Sequence, residues 1–196
     1  YGKTMIGDHP STLIGLSKMT GNLDDFKIYN SSITSENVRS LKIIESLEEV
    51  ERISKHKGDI GVRVNIGVKT ETHWDKKFDL FGLSEKDVLG LSKMKNLKIM
   101  HYHVGSQIKT QKSIIDAMKY AFSIYVELQK THPNLDTLDI GGGFGVPYDR
   151  KKFYTAKNVS NKIVKVLKTL SDKAGIRHPN LAVEWGRYIA APAQIV

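Results

Sequence analysis

Short apolar runs rich in β-branched residues alternate along the chain with longer segments whose apolar residues recur every three or four positions. The short runs have the length and composition of strands, and the longer segments have the period of amphipathic helices. This alternation predicts βα units arranged around a parallel sheet. The seven predicted strands are Thr4–Ile6, Lys27–Asn30, Lys42–Glu45, Ile60–Ile66, Lys98–His103, Thr137–Ile140 and Leu181–Glu184.

Two long helices are predicted between the later strands. The first covers Gln111–Lys130, where one apolar stripe should pack on the sheet. The second covers Val159–Ala174 and should end at Gly175, because glycine tolerates the left-handed conformation that terminates many helices. A capping box formed by Ser46 and Glu49 marks the start of an earlier helix.

Residues 1–196 have no break in composition, so we predict a single domain. An open doubly wound sheet would also satisfy the alternation of strands and helices. We favour a closed parallel (β/α)8 TIM-type barrel, because polar clusters follow several predicted strands and such barrels gather their sites at the carboxyl ends of their strands. A barrel of this type needs roughly 250 residues, so we expect these 196 residues to be less than a whole protein.

The composition, with 40% apolar and 26% charged residues, is that of a globular protein. No apolar run approaches the roughly 18 residues of a membrane span, and no cysteine is present for disulfides or thiolate metal sites. The lysines behind the formal charge of +9 are dispersed, without an aromatic and basic stacking surface. We therefore expect a cytoplasmic protein that binds a small anionic molecule, with no nucleic acid and no membrane as partner.

Three consecutive glycines, Gly141–Gly143, directly follow a predicted strand. Glycine allows positive φ and lets backbone N–H groups approach an anion, so the triplet predicts a phosphate site. Its spacing differs from the dinucleotide fingerprint, which needs glycines at the first, third and sixth positions followed by a helix. A tight turn that needs glycine for backbone reasons alone is an equally good interpretation.

A second cluster, from His101 to Ser106, surrounds the end of another predicted strand. Alternation puts His101 and His103 on one face of the strand. Two histidines could bind a metal, but no acidic residue close in sequence completes the set, so no metal is expected. The functional alternative is a His103 imidazole stacked on an aromatic cofactor, with Gly105 and Ser106 reaching its phosphate. Ordinary polar residues that line a barrel are the structural alternative.

The last predicted strand ends in Glu184-Trp185-Gly186-Arg187. A carboxylate at a strand end can hold a pyridine nitrogen in its protonated form, and a guanidinium suits a phosphate or a carboxylate. A salt bridge between Glu184 and Arg187 at the rim is the structural alternative. Arg63 lies within an otherwise apolar strand and needs a partner, either at the barrel mouth or in a structural ion pair.

Taken together, these segments resemble the fold-III pyridoxal-phosphate decarboxylases, the family of diaminopimelate, ornithine and biosynthetic arginine decarboxylases. His103-Val104-Gly105-Ser106 matches the family's His-x-Gly-Ser motif, Gly141–Gly143 matches its triple glycine, and Glu184–Arg187 is similar to its Glu-Pro-Gly-Arg motif. The motifs stand in the family's order, and the resemblance covers essentially the whole chain. It implies a barrel of the alanine-racemase-like kind, pyridoxal 5'-phosphate as cofactor, and decarboxylation of a basic amino acid with release of CO₂.

The resemblance also implies a role for each site residue. His103 would stack on the cofactor ring, and Glu184 would pair with the pyridine nitrogen. Ser106, Gly143 and Arg187 would hold the phosphate. The expected cofactor-binding set is completed by Gly105, Gly141, Gly142, Gly186 and Arg63.

Three departures from the family pattern leave alternatives open. The Schiff-base lysine and the first barrel strand are expected upstream of Tyr1, because the sequence around Lys3 fits the lysine motif poorly. Trp185 replaces the family's usual proline or small residue. The C-terminal β-domain, which completes the active site of a homodimer in the family, is expected outside these residues. A non-catalytic homologue that binds a partner or cofactor stays open as an alternative function. So does an amino-acid racemase, although Glu184 disfavours it.

Overall fold

The computed structural model describes residues 4–6, 13–17, 28–30, 42–53, 56, 58–68, 81–148 and 154–190. Within these ranges the chain forms eight strands and five helices. The strands are β1 (Thr4–Ile6), β2 (Leu13–Ser17), β3 (Ile28–Asn30), β4 (Lys42–Ile44), β5 (Ile60–Arg63), β6 (Leu97–His101), β7 (Thr137–Asp139) and β8 (Asn180–Val183). The helices are α1 (Leu47–Ile53), α2 (Glu85–Leu89), α3 (Gln111–Thr131), α4 (Ala156–Ala174) and α5 (Gly186–Ala190). In this part of the chain, no helix combines the length and the apolar character that crossing a membrane requires.

The eight strands form one sheet in the order β3-β1-β2-β8-β7-β6-β5-β4. Strands β4 to β8 are parallel to one another, and β1 is parallel to β3. A strand is found at each of the seven predicted positions, with small differences at the ends. Strand β2 is not predicted from the sequence and is antiparallel to both of its neighbours, β1 and β8. Gly15 interrupts its short apolar run, and an interior glycine weakens the pattern that identifies a strand.

Helix α3 packs its apolar face on the sheet, as its sequence period predicts. The stripe from Ile114 to Leu128 is buried in one core with Val62, Met100 and Leu138 of the central strands. Full burial of each large apolar side chain stabilises the fold by roughly 1.5–3 kcal/mol. The apolar face of α3 therefore shares one buried core with strands β5 to β7.

Helix α4 confirms the predicted end and shifts the predicted start. It begins at Ala156 rather than Val159, because the Thr155 side chain caps it by accepting the Asn158 N–H. It ends at Gly175, whose φ of 66° is the left-handed conformation that the glycine was expected to adopt. Because strands β5 to β8 are parallel, their carboxyl ends all lie at the same edge of the sheet.

Candidate functional site

A row of ionisable side chains crosses the parallel strands near their carboxyl ends. The register pairs Arg63 with His101 and His101 with Asp139, so the three side chains lie on one face of the sheet. Arg63 Nη1 lies 3.0 Å from Glu45 Oε1, and His101 Nδ1 lies 2.9 Å from Asp139 Oδ2. We call Glu45, Arg63, His101 and Asp139 the polar row. The ion pair with Glu45 is the partner that Arg63 was predicted to need, and the guanidinium also lies 5.0 Å from the ring centre of Phe81.

The three predicted clusters meet immediately beyond the polar row. The Gly141 N–H donates to Asp139 Oδ1 at 2.9 Å, and the Glu184 N–H donates to the Gly141 carbonyl at 2.9 Å. The Gly142 N–H faces His103 Nδ1 at 3.5 Å. A Cβ atom on Gly142 would lie 3.1 Å from Glu184 Oε2. The His103 imidazole, the glycines and the Glu184 carboxylate therefore occupy one face of the molecule.

We call Gly141–Gly143 the glycine turn, a segment in which a Cβ atom has little room. Gly141 and Gly143 have φ values of 63° and 86°. A Cβ atom on Gly141 would lie 2.6 Å from the Tyr102 carbonyl oxygen, and one on Gly143 would overlap the Gly105 carbonyl oxygen. The positive φ values and these close contacts show that the segment needs glycine for backbone reasons. The phosphate interpretation stays a prediction.

A cavity of about 550 Å³ opens beside the glycine turn. Its volume falls in the range of roughly 300–1,000 Å³ that is usual for small-molecule sites. The lining comes from the segments that follow β6, β7 and β8, so the cavity lies at the carboxyl edge of the sheet. It consists of His103, Gly105, Ser106, Gly143, Phe144, Glu184, Trp185, Gly186, Arg187 and Tyr188. Seven of the ten predicted site residues are in this lining, whereas Arg63, Gly141 and Gly142 stand behind it.

The segments after β6 and β7 are fastened to each other by residues that the sequence did not single out. The Ile108 N–H donates to the Gly143 carbonyl at 2.9 Å. The side-chain amide of Gln107, a residue with a φ of 57°, makes two further hydrogen bonds between the segments. Its Nε2 donates to the Val146 carbonyl at 2.5 Å, and its Oε1 accepts the Val146 N–H at 3.0 Å. The Tyr154 hydroxyl donates to the Ile108 carbonyl at 2.8 Å. These bonds hold the two walls of the cavity at a fixed separation.

Aromatic rings form a further wall. Trp185 stacks on Phe144 with 4.0 Å between ring centres and 15° between planes, and Tyr188 meets Trp185 edge-on at 5.4 Å. Trp185, which replaces the family's usual proline or small residue, thus packs on the segment that follows the glycine turn. No salt bridge joins Glu184 to Arg187 among the described residues, so the structural alternative for that motif is wrong.

The electrostatics distinguish the two carboxylates of the site. Burial and the charge of Asp139 raise the pKa of Glu184, and His101 partly opposes them. Burial would also raise the pKa of Asp139, but the nearby His101 imidazole and the Gly141 N–H outweigh it, so that this pKa is lowered. Asp139 therefore ionises more readily than Glu184. Glu184 keeps its charge best when a further cation approaches, and a protonated ring nitrogen would be such a cation.

The donor set of the cavity fits pyridoxal phosphate. It offers the planar imidazole of His103, a carboxylate at Glu184, and the Ser106 hydroxyl and Arg187 guanidinium for a phosphate. The glycine turn exposes backbone where any Cβ would collide with its surroundings. Among the described residues, no group of three or more histidine, aspartate or glutamate side chains is placed to hold a metal ion.

Comparison with known proteins agrees with this fit. The family model of the pyridoxal-binding domain of pyridoxal-dependent decarboxylases matches residues 29–191. A biosynthetic arginine decarboxylase of Prochlorococcus marinus strain MIT 9303 is 33% identical over 177 residues, which are 79% of this chain and 27% of that protein. One from Rhodopirellula baltica is 33% identical over 174 residues, or 77% of this chain and 26% of that protein. The chain thus spans about a quarter of the length of these relatives.

Solved structures show the same likeness. The biosynthetic arginine decarboxylase of Campylobacter jejuni superimposes with a TM-score of 0.60 at 28% identity, over 72% of this chain and 26% of that one. A variant of the diaminopimelate decarboxylase of Helicobacter pylori, complexed with L-lysine, gives 0.63 at 25% identity, over 74% of this chain and 39% of that one. Strands β4 to β8 form a parallel sheet with alternating helices, which is the arrangement of the alanine-racemase-like barrels of these decarboxylases. The chain belongs to the pyridoxal-dependent decarboxylase family, and residues 29–191 match that family's pyridoxal-binding domain.

Proposed function

We propose that the protein containing this chain removes the α-carboxylate of a basic amino acid, with pyridoxal 5'-phosphate held in the cavity at the carboxyl edge of the sheet. The observation that carries the proposal is the convergence of His103, the glycine turn and Glu184 on one cavity. Each of the three motifs is weak evidence alone, and they are far apart in sequence. Their convergence supports the proposal, because a cofactor with a ring, a ring nitrogen and a phosphate needs a contact for each part.

Different residues of the chain would contact different parts of the cofactor. His103 would lie against the ring, and Glu184 would hold the ring nitrogen in its protonated form. Ser106, Gly143 and Arg187 would take the phosphate, the last through the donor fork of its guanidinium. Gly105 and Gly186 line the same cavity and present backbone to it. Gly141, Gly142 and Arg63 support this arrangement from behind.

Bound pyridoxal phosphate supplies an electron sink for the reaction. In the proposed decarboxylation, the bond between Cα and the carboxylate breaks, CO₂ departs, and a proton takes its place on Cα. Glu184 would make the sink effective, because an ionised carboxylate stabilises a positive charge on the ring nitrogen. The hydrogen bonds of Gln107 and Tyr154 hold the walls of the cavity together and would keep the donors aligned.

The covalent attachment point of the cofactor is not among the cavity-lining residues of the described part of the chain, which include no lysine. Lys3 lies outside the described residues. We therefore infer that the Schiff-base lysine is contributed by a segment outside those that form the cavity. This inference agrees with the expectation drawn from the family motif.

Arginine is the first substrate to test, and diaminopimelate and ornithine are the next. The support for arginine is the set of relatives at about one-third identity, which are biosynthetic arginine decarboxylases. The support for diaminopimelate is the likeness to the Helicobacter pylori enzyme. We further propose a cytoplasmic homodimer.

The test is an assay of the complete gene product loaded with pyridoxal phosphate. Each basic amino acid is supplied with a labelled α-carboxylate, and released CO₂ is counted. Release from one of them, abolished by Glu184→Ala, is the expected result. Tight cofactor binding without CO₂ release from any of them would instead support the non-catalytic homologue. Loss of optical activity without CO₂ release would support the racemase.

A further inference from the structure

The polar row contains a buried ion pair that the proposed chemistry leaves without a role. Asp139 is 7% exposed, and His101 Nδ1 is shielded from solvent. A carboxylate at this depth is costly unless a cation and hydrogen bonds offset the loss of hydration. Its place at the end of a strand whose three residues are all buried therefore calls for a specific function.

Asp139 joins two parts of the site through its two carboxylate oxygens. Oδ2 lies 2.9 Å from His101 Nδ1 on the neighbouring strand. Oδ1 accepts the Gly141 N–H at 2.9 Å, which is the first N–H of the glycine turn. The Gly141 carbonyl in turn accepts the Glu184 N–H at 2.9 Å. A continuous chain of contacts thus runs from His101 to the backbone of Glu184.

The group in contact with Asp139 follows from the order of the polar row. Arg63 forms its ion pair with Glu45, on the side away from β7. His101 stands between Arg63 and Asp139 in the strand register and is the residue in contact with the carboxylate. His103 follows the end of β6 by two residues and lowers the pKa of Asp139 less than His101 does.

We propose that His101 and Asp139 are positioning residues of the cofactor site: His101 holds Asp139, and Asp139 holds the glycine turn and, through it, Glu184. This inference rests on the proposed function for the identity of the ligand. The geometry that it invokes is a property of the chain itself.

Removal of His101 alone has a consequence that distinguishes this arrangement from simple packing. Asp139 would remain buried without its imidazole contact and close to Glu184, whose pKa burial and the charge of Asp139 raise. Glu184 would then keep its charge poorly and hold a ring nitrogen poorly. Neutralising Asp139 as well removes the source of the repulsion, so a second substitution should repair part of the damage of the first.

The experiment compares His101→Leu, Asp139→Asn and the double variant in the complete gene product. A matched cycle at the pair of His178 and Asp172 is the control. There Nε2 lies 2.7 Å from Oδ1, but the pair lies beyond the amino end of β8, at the opposite edge of the sheet from the cavity. Two quantities are compared: the dissociation constant of pyridoxal phosphate by absorbance titration, and hydrogen exchange of the segment 140–146 in the cofactor-free protein. The unfolding temperature of each variant is measured beside them.

We expect His101→Leu to weaken cofactor binding about tenfold or more, and the double variant to bind several times more tightly than His101→Leu. Exchange of segment 140–146 should accelerate in both single variants, while the His178 and Asp172 control cycle leaves both quantities unchanged. Effects that simply multiply in the double variant, or single variants that lower only the unfolding temperature, would overturn the proposal. Asp139→Asn preserves shape and decides the matter alone if His101→Leu fails to fold.

The experiment tests the proposed function and the link from His101 to the glycine turn separately. If the wild-type protein does not bind pyridoxal phosphate, the proposed function falls. The exchange measurement on the cofactor-free protein still judges the link from His101 to the glycine turn, and unchanged exchange in the variants overturns it.

Discussion

Replacing Gln107 with methionine should loosen the two walls of the cavity. The Gln107 amide makes two hydrogen bonds to the backbone of Val146, and methionine has a similar length but neither donor nor strong acceptor. Val146 is buried, so its N–H and carbonyl would lose partners that water cannot readily replace.

The magnitude follows from those two bonds. Each typically contributes about 0.5–1.5 kcal/mol net, so their loss should lower the free energy of local opening by roughly 1–3 kcal/mol. Hydrogen exchange in the segments 105–108 and 143–146 should then be roughly five to 160 times faster in the cofactor-free protein. Pyridoxal phosphate should bind more weakly by a similar factor, because the bound state needs both walls in place.

The matched control is Gln129→Met, which removes one amide hydrogen bond to the Leu135 carbonyl near the carboxyl end of α3. It should cost some stability without changing cofactor affinity. Exchange in the wall segments that stays at the wild-type rate in Gln107→Met would refute the role given to this clamp. So would equal losses of affinity in the two variants.

Three further outcomes follow from the site. Gly143→Ala should abolish tight cofactor binding, because the added Cβ would overlap the Gly105 carbonyl oxygen. The control Gly175→Ala has a similar positive φ but open space around it, so it should retain normal cofactor affinity in the same titration. Cofactor affinity should fall on the acid side of neutrality as the Glu184 carboxyl, whose pKa is raised by burial, gains a proton, and Glu184→Gln should flatten this pH profile at a lower affinity. Arg187→Ala should weaken pyridoxal phosphate about tenfold or more and leave unphosphorylated pyridoxal unaffected, which paired titrations would reveal. A wild-type cofactor affinity that does not change with pH would contradict the role given to Glu184. Equal losses of affinity for pyridoxal phosphate and for pyridoxal in Arg187→Ala would contradict the role given to Arg187.

Much of the fold is accessible from the sequence because burial imposes a strong pattern. The parallel strands β5 to β8 are apolar runs, and α3 has a regular apolar stripe, so both stand out from their surroundings. Strand β2 escapes because its few residues include a glycine and it pairs antiparallel where a parallel sheet is expected. Its pairing depends on the arrangement of the sheet, which the local pattern does not contain.

The candidate site was predictable to the extent that its residues follow strands. His103, the glycine turn and Glu184 were found for this reason, and parallel strands bring them to one edge. Gln107 and Tyr154 were missed because their partners are backbone atoms of distant segments. Asp139 carried a usable signal, since it is a lone acidic residue in a buried strand, the same pattern that drew attention to Arg63.

The most direct test of the central claim is a crystal structure of the complete protein with pyridoxal phosphate. We predict the ring against the His103 imidazole, its nitrogen about 2.7–2.9 Å from a Glu184 carboxylate oxygen, and its phosphate bonded to Ser106, Gly143 and Arg187. A cofactor bound elsewhere, or one whose ring nitrogen faces a group other than Glu184, would contradict the account.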